Sequence, residues 1–339
     1  MSSAANAWRL CVSPMMDWTD RHCRYFHRLI APQARLYTEM VTTGALIHGN
    51  VARHLDFSTP EHPLALQLGG SDANELARCA RLALRWGYDE VNLNCGCPSP
   101  RVQRGSFGAC LMAEPALVRD CVRAMRDAVP LPVTVKHRIG LDRVEDYGFV
   151  RDFVGTVGDS GCATFIVHAR NAWLDGLSPK RNREVPPLRH DTVARLKGDF
   201  PAWTFVSNGG LSDDADIARE LARVDGVMIG RAAYHDPWRL RAWQQHAFGT
   251  VGEKAPTRDD VEQAMVRYMI ERAAADGTPW SAIARHMMGL RAAQPGARRW
   301  RQIWSDHRLR AWSPADVSAR ARAAMQDELT TSLAIAGAA

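Results

Sequence analysis

The chain lacks any stretch approaching the roughly 20 consecutive apolar residues that a membrane-spanning helix needs. Its first residues lack the charged start and apolar core of a secretory signal, so a cytoplasmic, membrane-free location is the expectation. Cysteine is absent after Cys162, and the eight cysteines up to and including it match neither a C-x-x-C zinc framework nor the spacing of a small disulfide scaffold. Reduced thiols and no bound metal follow as expectations. Lysine is scarce, with four against 39 arginines. Acid is scarce between residues 281 and 310, where Arg285, Arg291, Arg298, Arg299, Arg301, Arg308 and Arg310 face only Asp306. Such a cluster favours a polyanionic partner over a neutral one. No Gly-x-Gly-x-x-Gly fingerprint opens a helix, which argues against a dedicated dinucleotide domain.

What the chain does have is 339 residues, 46% of them apolar and 24% charged, with a net charge of +6. That composition suits a globular protein with one large unit and a smaller one. The first seven residues and the tail beyond about Glu328 are small, polar or low in complexity, and fraying is expected at both. Eight short β-rich runs recur: Arg9 to Ser13, Arg35 to Glu39, Leu64 to Leu68, Glu90 to Asn94, Val133 to His137, Thr164 to His168, Thr204 to Ser207 and Gly226 to Ile229. Between them, segments such as Asn74 to Trp86, Pro115 to Val129 and Val144 to Val157 repeat apolar residues at helical spacing. Strand alternating with helix implies a parallel sheet, and eight units in about 240 residues fit a closed (β/α)8 TIM barrel. Residues 1–247 are assigned to it. Strand signals then stop, and Val261 to Ala275, Trp280 to Leu290 and Pro314 to Leu329 read as helices of a small helical domain, residues 258–328. Gly249 to Thr257 is the expected linker.

A barrel places its chemistry at the C-terminal strand ends. Polar residues gather there: Ser13 to Met16, Gln67, Asn94, Lys136, Arg138, His168, Asn208-Gly209-Gly210 and Gly230-Arg231. A lone Gly-Gly pair is usually only a turn. Here two glycine loops occupy the two positions where barrels build phosphate sites, which points to a phosphate-bearing cofactor. Lys136, after the apolar run Val133-Thr134-Val135, calls for an anionic or electron-rich neighbour. His168 alone reads as structural. The turn Asn94-Cys95-Gly96-Cys97-Pro98-Ser99 holds two thiols at a strand end. Alternation does not decide which of them faces the mouth, because Gly and Pro break the strand after Cys95.

These segments resemble the tRNA-dihydrouridine synthases. The resemblance rests on Pro14-Met15-Met16-Asp17-Trp18-Thr19-Asp20, Leu66-Gln67-Leu68-Gly69-Gly70 and Asn94-x-Gly96-Cys97-Pro98-Ser99. It continues through Lys136-x-Arg138-Ile139-Gly140, Val167-His168-Ala169-Arg170, Asn208-Gly209-Gly210 and Val227 to Arg231, in order along the barrel. Leu36 to Ala45, Asn182 to Leu188, Arg285 to Leu290 and Pro295 to Arg298 are similar to the branch that modifies positions 20 and 20a of the D-loop. The resemblance implies FMN held by Pro14, Met15, Met16, Gln67, Lys136, His168, Asn208, Gly209, Gly210, Gly230 and Arg231. It implies NADPH as the reductant of the flavin, hydride transfer from the flavin to C6 of uracil, and Cys97 as the proton donor to C5. Asn94 and Arg138 would serve the uridine, with Lys180, Arg181 and Arg183 and then Arg298 and Arg301 on tRNA phosphates. A single copy is expected to act alone. Cys95 departs from the family pattern, which has a small aliphatic residue there. A dihydroorotate-dehydrogenase-like flavoenzyme acting on a small molecule, or an RNA-binding protein with a vestigial barrel, are the rival readings; the basic helical region speaks against the first.

Overall fold

The computed structural model describes residues 7–144, 146–249 and 256–336, without the side chains of Arg101 and of residues 329–336. Nine parallel strands form one sheet: β1 (Leu10–Val12), β2 (Leu36–Tyr37), β3 (Val41–Thr42), β4 (Leu64–Gly69), β5 (Glu90–Cys95), β6 (Val133–Arg138), β7 (Thr164–His168), β8 (Thr204–Asn208) and β9 (Gly226–Ile229). They pair in the order β1-β9-β8-β7-β6-β5-β4-β2. The ring closes where the Val12 amide donates to the Arg35 carbonyl and the Arg35 amide to the Leu10 carbonyl, both at 2.9 Å. All eight expected strands are therefore staves of a (β/α)8 barrel. The unforeseen ninth, β3, lies further along β4 on the same stave as β2; between the two, the Thr38 hydroxyl accepts from the Gln67 amide at 3.0 Å.

The barrel forms because each strand alternates. Leu10, Val12, Leu64, Leu66, Leu68, Val91, Leu93, Val133, Val135, Phe165, Val167, Phe205, Val227 and Ile229 pack outward against the helices in the main core. Cys11, Tyr37, Ala65, Ile166, Val206 and Met228 fill the interior as a separate cluster. Helices Arg21–Ile30, Ala73–Trp86, Pro115–Ala128, Tyr147–Gly158, His190–Asp199, Asp214–Leu221 and Leu240–Phe248 cover the outside. Asp20, Asp72, Asp146 and Asp213 cap four of them through their side chains, which fixes where each loop after a strand turns into its helix.

The floor of the barrel carries a buried charge. Glu90 is fully enclosed, yet it accepts from Arg35 Nη1 (3.0 Å), Trp8 Nε1 (2.8 Å), Tyr37 OH (3.0 Å) and Thr134 Oγ1. A buried carboxylate persists only with such a full set of donors.

Beyond the barrel, helix Arg258–Asp276 begins at a Thr257–Asp260 capping box. It is followed by Trp280–Ala284, Ala297–Trp304 and Pro314–Ala336. Glu262, fully buried, accepts from Arg291 (2.6 Å), the indole N–H of Trp300 (3.1 Å) and of Trp304 (3.3 Å), and Ser318 (2.9 Å), and so ties the first, third and fourth of these helices together. Two expectations need correction here, and one helix joins those expected. Trp280 to Leu290 is not one helix, since it passes into a 3-10 turn at Arg285–Met287. Ala297–Trp304 is helical, with Ala297, Trp300 and Trp304 on its buried side. The last helix runs on to Ala336 past the expected fraying point, through residues that include the good helix formers Ala and Leu. Most of the expected linker lies outside the described residues. No helix among the described residues is long and apolar enough to cross a membrane.

The helical region is anchored to the barrel at Asp20. One carboxylate oxygen caps helix Arg21–Ile30 through the amides of His22 and Cys23, while the other accepts from Arg285 (2.7 Å) and pairs with His286 (3.0 Å). Tyr25 stacks on Tyr268 at 4.0 Å beside it.

Candidate active site at the barrel mouth

Inward positions near the C-terminal strand ends are polar. Gln67, Asn92 and Asn94 form a ladder: Gln67 Nε2 donates to Asn92 Oδ1 at 2.7 Å, and Asn94 Nδ2 donates to Gln67 Oε1 at 2.9 Å. Asn92 Nδ2 donates to Thr134 Oγ1 at 2.7 Å, which links the ladder to the Glu90 cluster below. At the top, Asn94 Oδ1 accepts from the Gly96 and Cys97 amides at 3.1 and 3.0 Å. The asparagine side chain replaces the missing next strand pairing and shapes the turn.

That turn separates the two thiols. Cys95 is the last outward residue of β5, wholly buried in the core behind the barrel, and burial pushes its pKa well up. It is an inert packing group. Cys97 is half-buried, within electrostatic range of Lys136, Arg138 and Arg183. Its carbonyl accepts from the Ala109 amide at 2.9 Å, and Gly108 packs so close that a Cβ there would lie 2.6 Å from that carbonyl. The structure thus places Cys97 alone of the two at the mouth.

Lys136 is half-buried between β5 and β7, and donates to Asn208 Oδ1 at 3.1 Å. Asn208 in turn donates to the Met228 carbonyl (2.7 Å) and to Ser13 Oγ (3.2 Å). Burial, followed by the charge of Arg138, lowers the Lys136 pKa to about 7. His168 is lowered well below its ordinary value by burial and by the charges of Arg138 and Lys136, so its ring is neutral. Gly209 and Gly210 adopt φ of +109° and +67°; a Cβ on the first would lie 2.5 Å from the His168 ring and on the second 2.4 Å from Leu188. Only glycine fits either place. Gly230 is roomier: the nearest atom to a Cβ is Ser13 Oγ at 3.5 Å, with Met15 Sδ at 3.8 Å. Met15 lies beside this glycine, whereas Met16 is mostly exposed. Arg231 pairs with Glu184 at 2.6 Å.

Arg138 is buried, with Nε on the Gly96 carbonyl (3.0 Å) and Nη1 on the carbonyls of Asn182 (3.0 Å) and Asn171 (3.3 Å). Its Nη2 makes no hydrogen bond among the described residues. Lys180, Arg181 and Arg183 are exposed on the loop after β7, beside the buried Asn182. Arg298 is exposed and Arg301 half-buried on helix Ala297–Trp304, and neither is bonded to a mouth residue. The remaining basic cluster is less free than its sequence suggests, because Arg291 is buried on Glu262, Arg285 is paired with Asp20 and Arg308 with Asp306.

Sequence reasoning missed Asn92, Thr134 and Gln103, of which the last donates both to Pro98 O and to Leu174 O at 2.9 Å. A signal was present for the first two: polar residues at inward positions of otherwise apolar strands.

Residues 11–326 match the family model described as Dihydrouridine synthase (Dus). A protein of Pseudomonas syringae pv. tomato named tRNA-dihydrouridine(20/20a) synthase is 57% identical over 297 residues, 88% of this chain and 88% of the relative. Relatives of the same name from Salmonella typhi (52% over 331 residues, 96% and 98% covered) and Yersinia pestis (54% over 301 residues, 88% and 86% covered) align equally broadly.

Proposed function

Since the chain belongs to the dihydrouridine synthase family of flavin-dependent oxidoreductases, we propose that it reduces uridine to 5,6-dihydrouridine in the D-loop of tRNA, at the positions 20 and 20a that its relatives' names carry. The observation that carries this reading is the pairing, at one barrel mouth, of a half-buried lysine with unspent donors and a half-buried thiol. FMN fits there. Lys136 has one acceptor for three N–H donors and is partly withdrawn from water, so an anionic or electron-rich group restores its charge. The glycine loops after β8 and β9 are where barrels hold a phosphate. Pro14, Met15, Met16, Gln67, His168, Asn208 and Arg231 complete this side. When bound, FMN supplies the hydride for C6 of uracil, with NADPH as the source of electrons.

The protein's own part is positional and protic. Cys97 holds the proton that C5 takes up, and its partial exposure allows the thiol to be restored from water. Asn94 keeps the turn under Cys97 fixed and lies beside the space for the uracil edge, while Arg138 Nη2 is free to meet a carbonyl oxygen. The target base leaves its stack to enter the mouth. Lys180, Arg181 and Arg183 hold phosphates on one side and Arg298 and Arg301 on another, with residues 1–247 as the catalytic unit and 258–328 as the RNA-gripping unit of a cytoplasmic monomer.

The test is direct. Purified protein should be yellow, with about one FMN per chain, and should oxidise NADPH in the presence of unmodified tRNA but not of free uridine. Unchanged dihydrouridine at positions 20 and 20a in tRNA from a deletion strain would refute the assignment.

A further inference from the structure

We propose that a pocket beside the mouth, lined by Arg143, Asn171, Trp173, Val185, Pro187 and Arg189, receives a second, unpaired nucleobase of the RNA, one flanking the target uridine. The proposal rests on the tRNA reading above. The cavity holds about 370 Å³, within the range of small-ligand sites of roughly 300–1,000 Å³. Its walls suit a flat, apolar-faced ring. The Arg143 guanidinium sits 4.8 Å over the Trp173 indole, Val185 is largely exposed at the rim, and Pro187 closes one side. A cation over an aromatic face extends a stacking surface that every base can use.

The amide of the pocket is already spent. Asn171 Nδ2 is spent on the carbonyls of Asp142 (3.0 Å) and Val144 (2.8 Å), and its Oδ1 accepts from Arg189 at 2.6 Å. What remains on offer is π surface and positive charge, the combination on which single-stranded bases stack.

The pocket is fixed relative to the chemistry. Asn182, fully buried, brackets Trp173 by accepting from its amide and donating to its carbonyl, both at 2.8 Å. The Asn182 carbonyl is held by Arg138, which also holds Gly96. Gln103 makes a second strut, from Pro98 to Leu174. Both struts join the Cys97 turn to the residues around the indole, so a base seated there registers its neighbour against the thiol. The exposed cations Lys180, Arg181 and Arg183 lie on the same loop, suited to the backbone that links the two nucleotides.

The experiment combines protein and RNA changes. Trp173→Ala should raise the Kd for unmodified tRNA by about tenfold and Trp173→Phe by less than about twofold, with FMN content and the reduction of the flavin by NADPH unchanged. A tRNA abasic at the nucleotide on one side of the target should bind wild-type protein comparably weakly, yet lose nothing further with Trp173→Ala. Arg143→Ala, at an exposed side chain with no hydrogen bond among the described residues, should reproduce part of the loss and serves if Trp173→Ala fails to fold. Wild-type affinity in both variants, or additive penalties from the protein and RNA changes, overturns the pocket while leaving the tRNA activity standing. So does a raised KM for NADPH at unchanged tRNA affinity, which would assign the pocket to the reductant's nucleotide. A wild-type protein that reduces free uridine and ignores tRNA instead removes the RNA reading itself.

Discussion

Lys136 gives the proposed flavin site a pH signature. Its pKa falls to about 7 from an ordinary 10.5, through burial and the charge of Arg138. The sign follows from linkage: a lysine depressed in the fold is neutral above about pH 7, and a ligand that needs the ammonium must bring a proton with it. If bound flavin returns the pKa to its ordinary range, the Kd for FMN grows as one plus the ratio of neutral to charged lysine, so it should weaken about 50-fold between pH 7 and pH 9. At pH 8 binding should take up about 0.9 proton. The phosphate's own second ionisation near 6 lies outside this window. Flavin-fluorescence titrations of deflavinated protein from pH 7 to 9, with calorimetry in two buffers of different ionisation enthalpy, measure both quantities. Lys136→Met should bind weakly and with a flat profile. A flat profile in the wild type, or the same slope in Lys136→Met, would refute the placement of this lysine against the cofactor.

Cys97→Ala should leave reduction of the flavin by NADPH intact and lower tRNA reduction by about 10²- to 10⁴-fold, because only the proton donor is lost; Cys95→Val, in a packed apolar site, should change stability by less than about 1.5 kcal/mol and activity hardly at all, and an exchange of the two phenotypes in stopped-flow assays would reverse the assignment. Replacing Arg298 and Arg301 together with Ala should weaken tRNA binding and flatten its logarithmic salt slope by roughly 0.7 to 0.9 per lost contact with flavin content unchanged; filter binding at several salt concentrations that returns the wild-type slope would free both residues from any role on phosphate. Glu262→Ala leaves the buried Arg291 only its pair with the exposed Asp259 and strips the acceptor from Trp300, Trp304 and Ser318, and should cost up to about 3–5 kcal/mol in the stability of the helical region, with Glu262→Gln milder since it can still accept from Trp300 and Ser318; urea unfolding of Glu262→Ala indistinguishable from wild type would show that the hub is dispensable.

The barrel was legible because its strands obey one rule: hydrophobic residues outward at every second position, with turns between. All eight expected staves appear within a few residues of their expected ends. β3 escaped because two residues carry no period. Cys95 and Cys97 could not be told apart from sequence, since the distinction depends on where Asn94 folds back to accept from the next amides. The helical region was read least well. Seven arginines look like one basic face, yet Arg291 belongs to the core because Glu262, 29 residues earlier, reaches it across the bundle. Arg285 is half spent on Asp20, 265 residues away. Charge counting sees neither pairing, because both are set by tertiary contact and by no local spacing.

The same accounting of partners separates structure from chemistry inside the barrel. Glu90, Thr134, Asn92, Gln67 and Asn94 form one directional chain, each amide's orientation set by the next, ending on the amides of Gly96 and Cys97. These groups spend most of their hydrogen-bonding capacity on one another, as buried polar groups must to remain inside. Lys136 and Arg138 differ. The first keeps two N–H donors beyond its bond to Asn208, and the second keeps its whole Nη2 after holding three carbonyls. Cationic donors left unspent in so enclosed a place cost stability unless an acceptor arrives to meet them. The satisfied ladder therefore builds a stiff floor and a fixed turn, and the unsatisfied cations above it mark the place proposed for a negatively polarised ligand beside the Cys97 thiol.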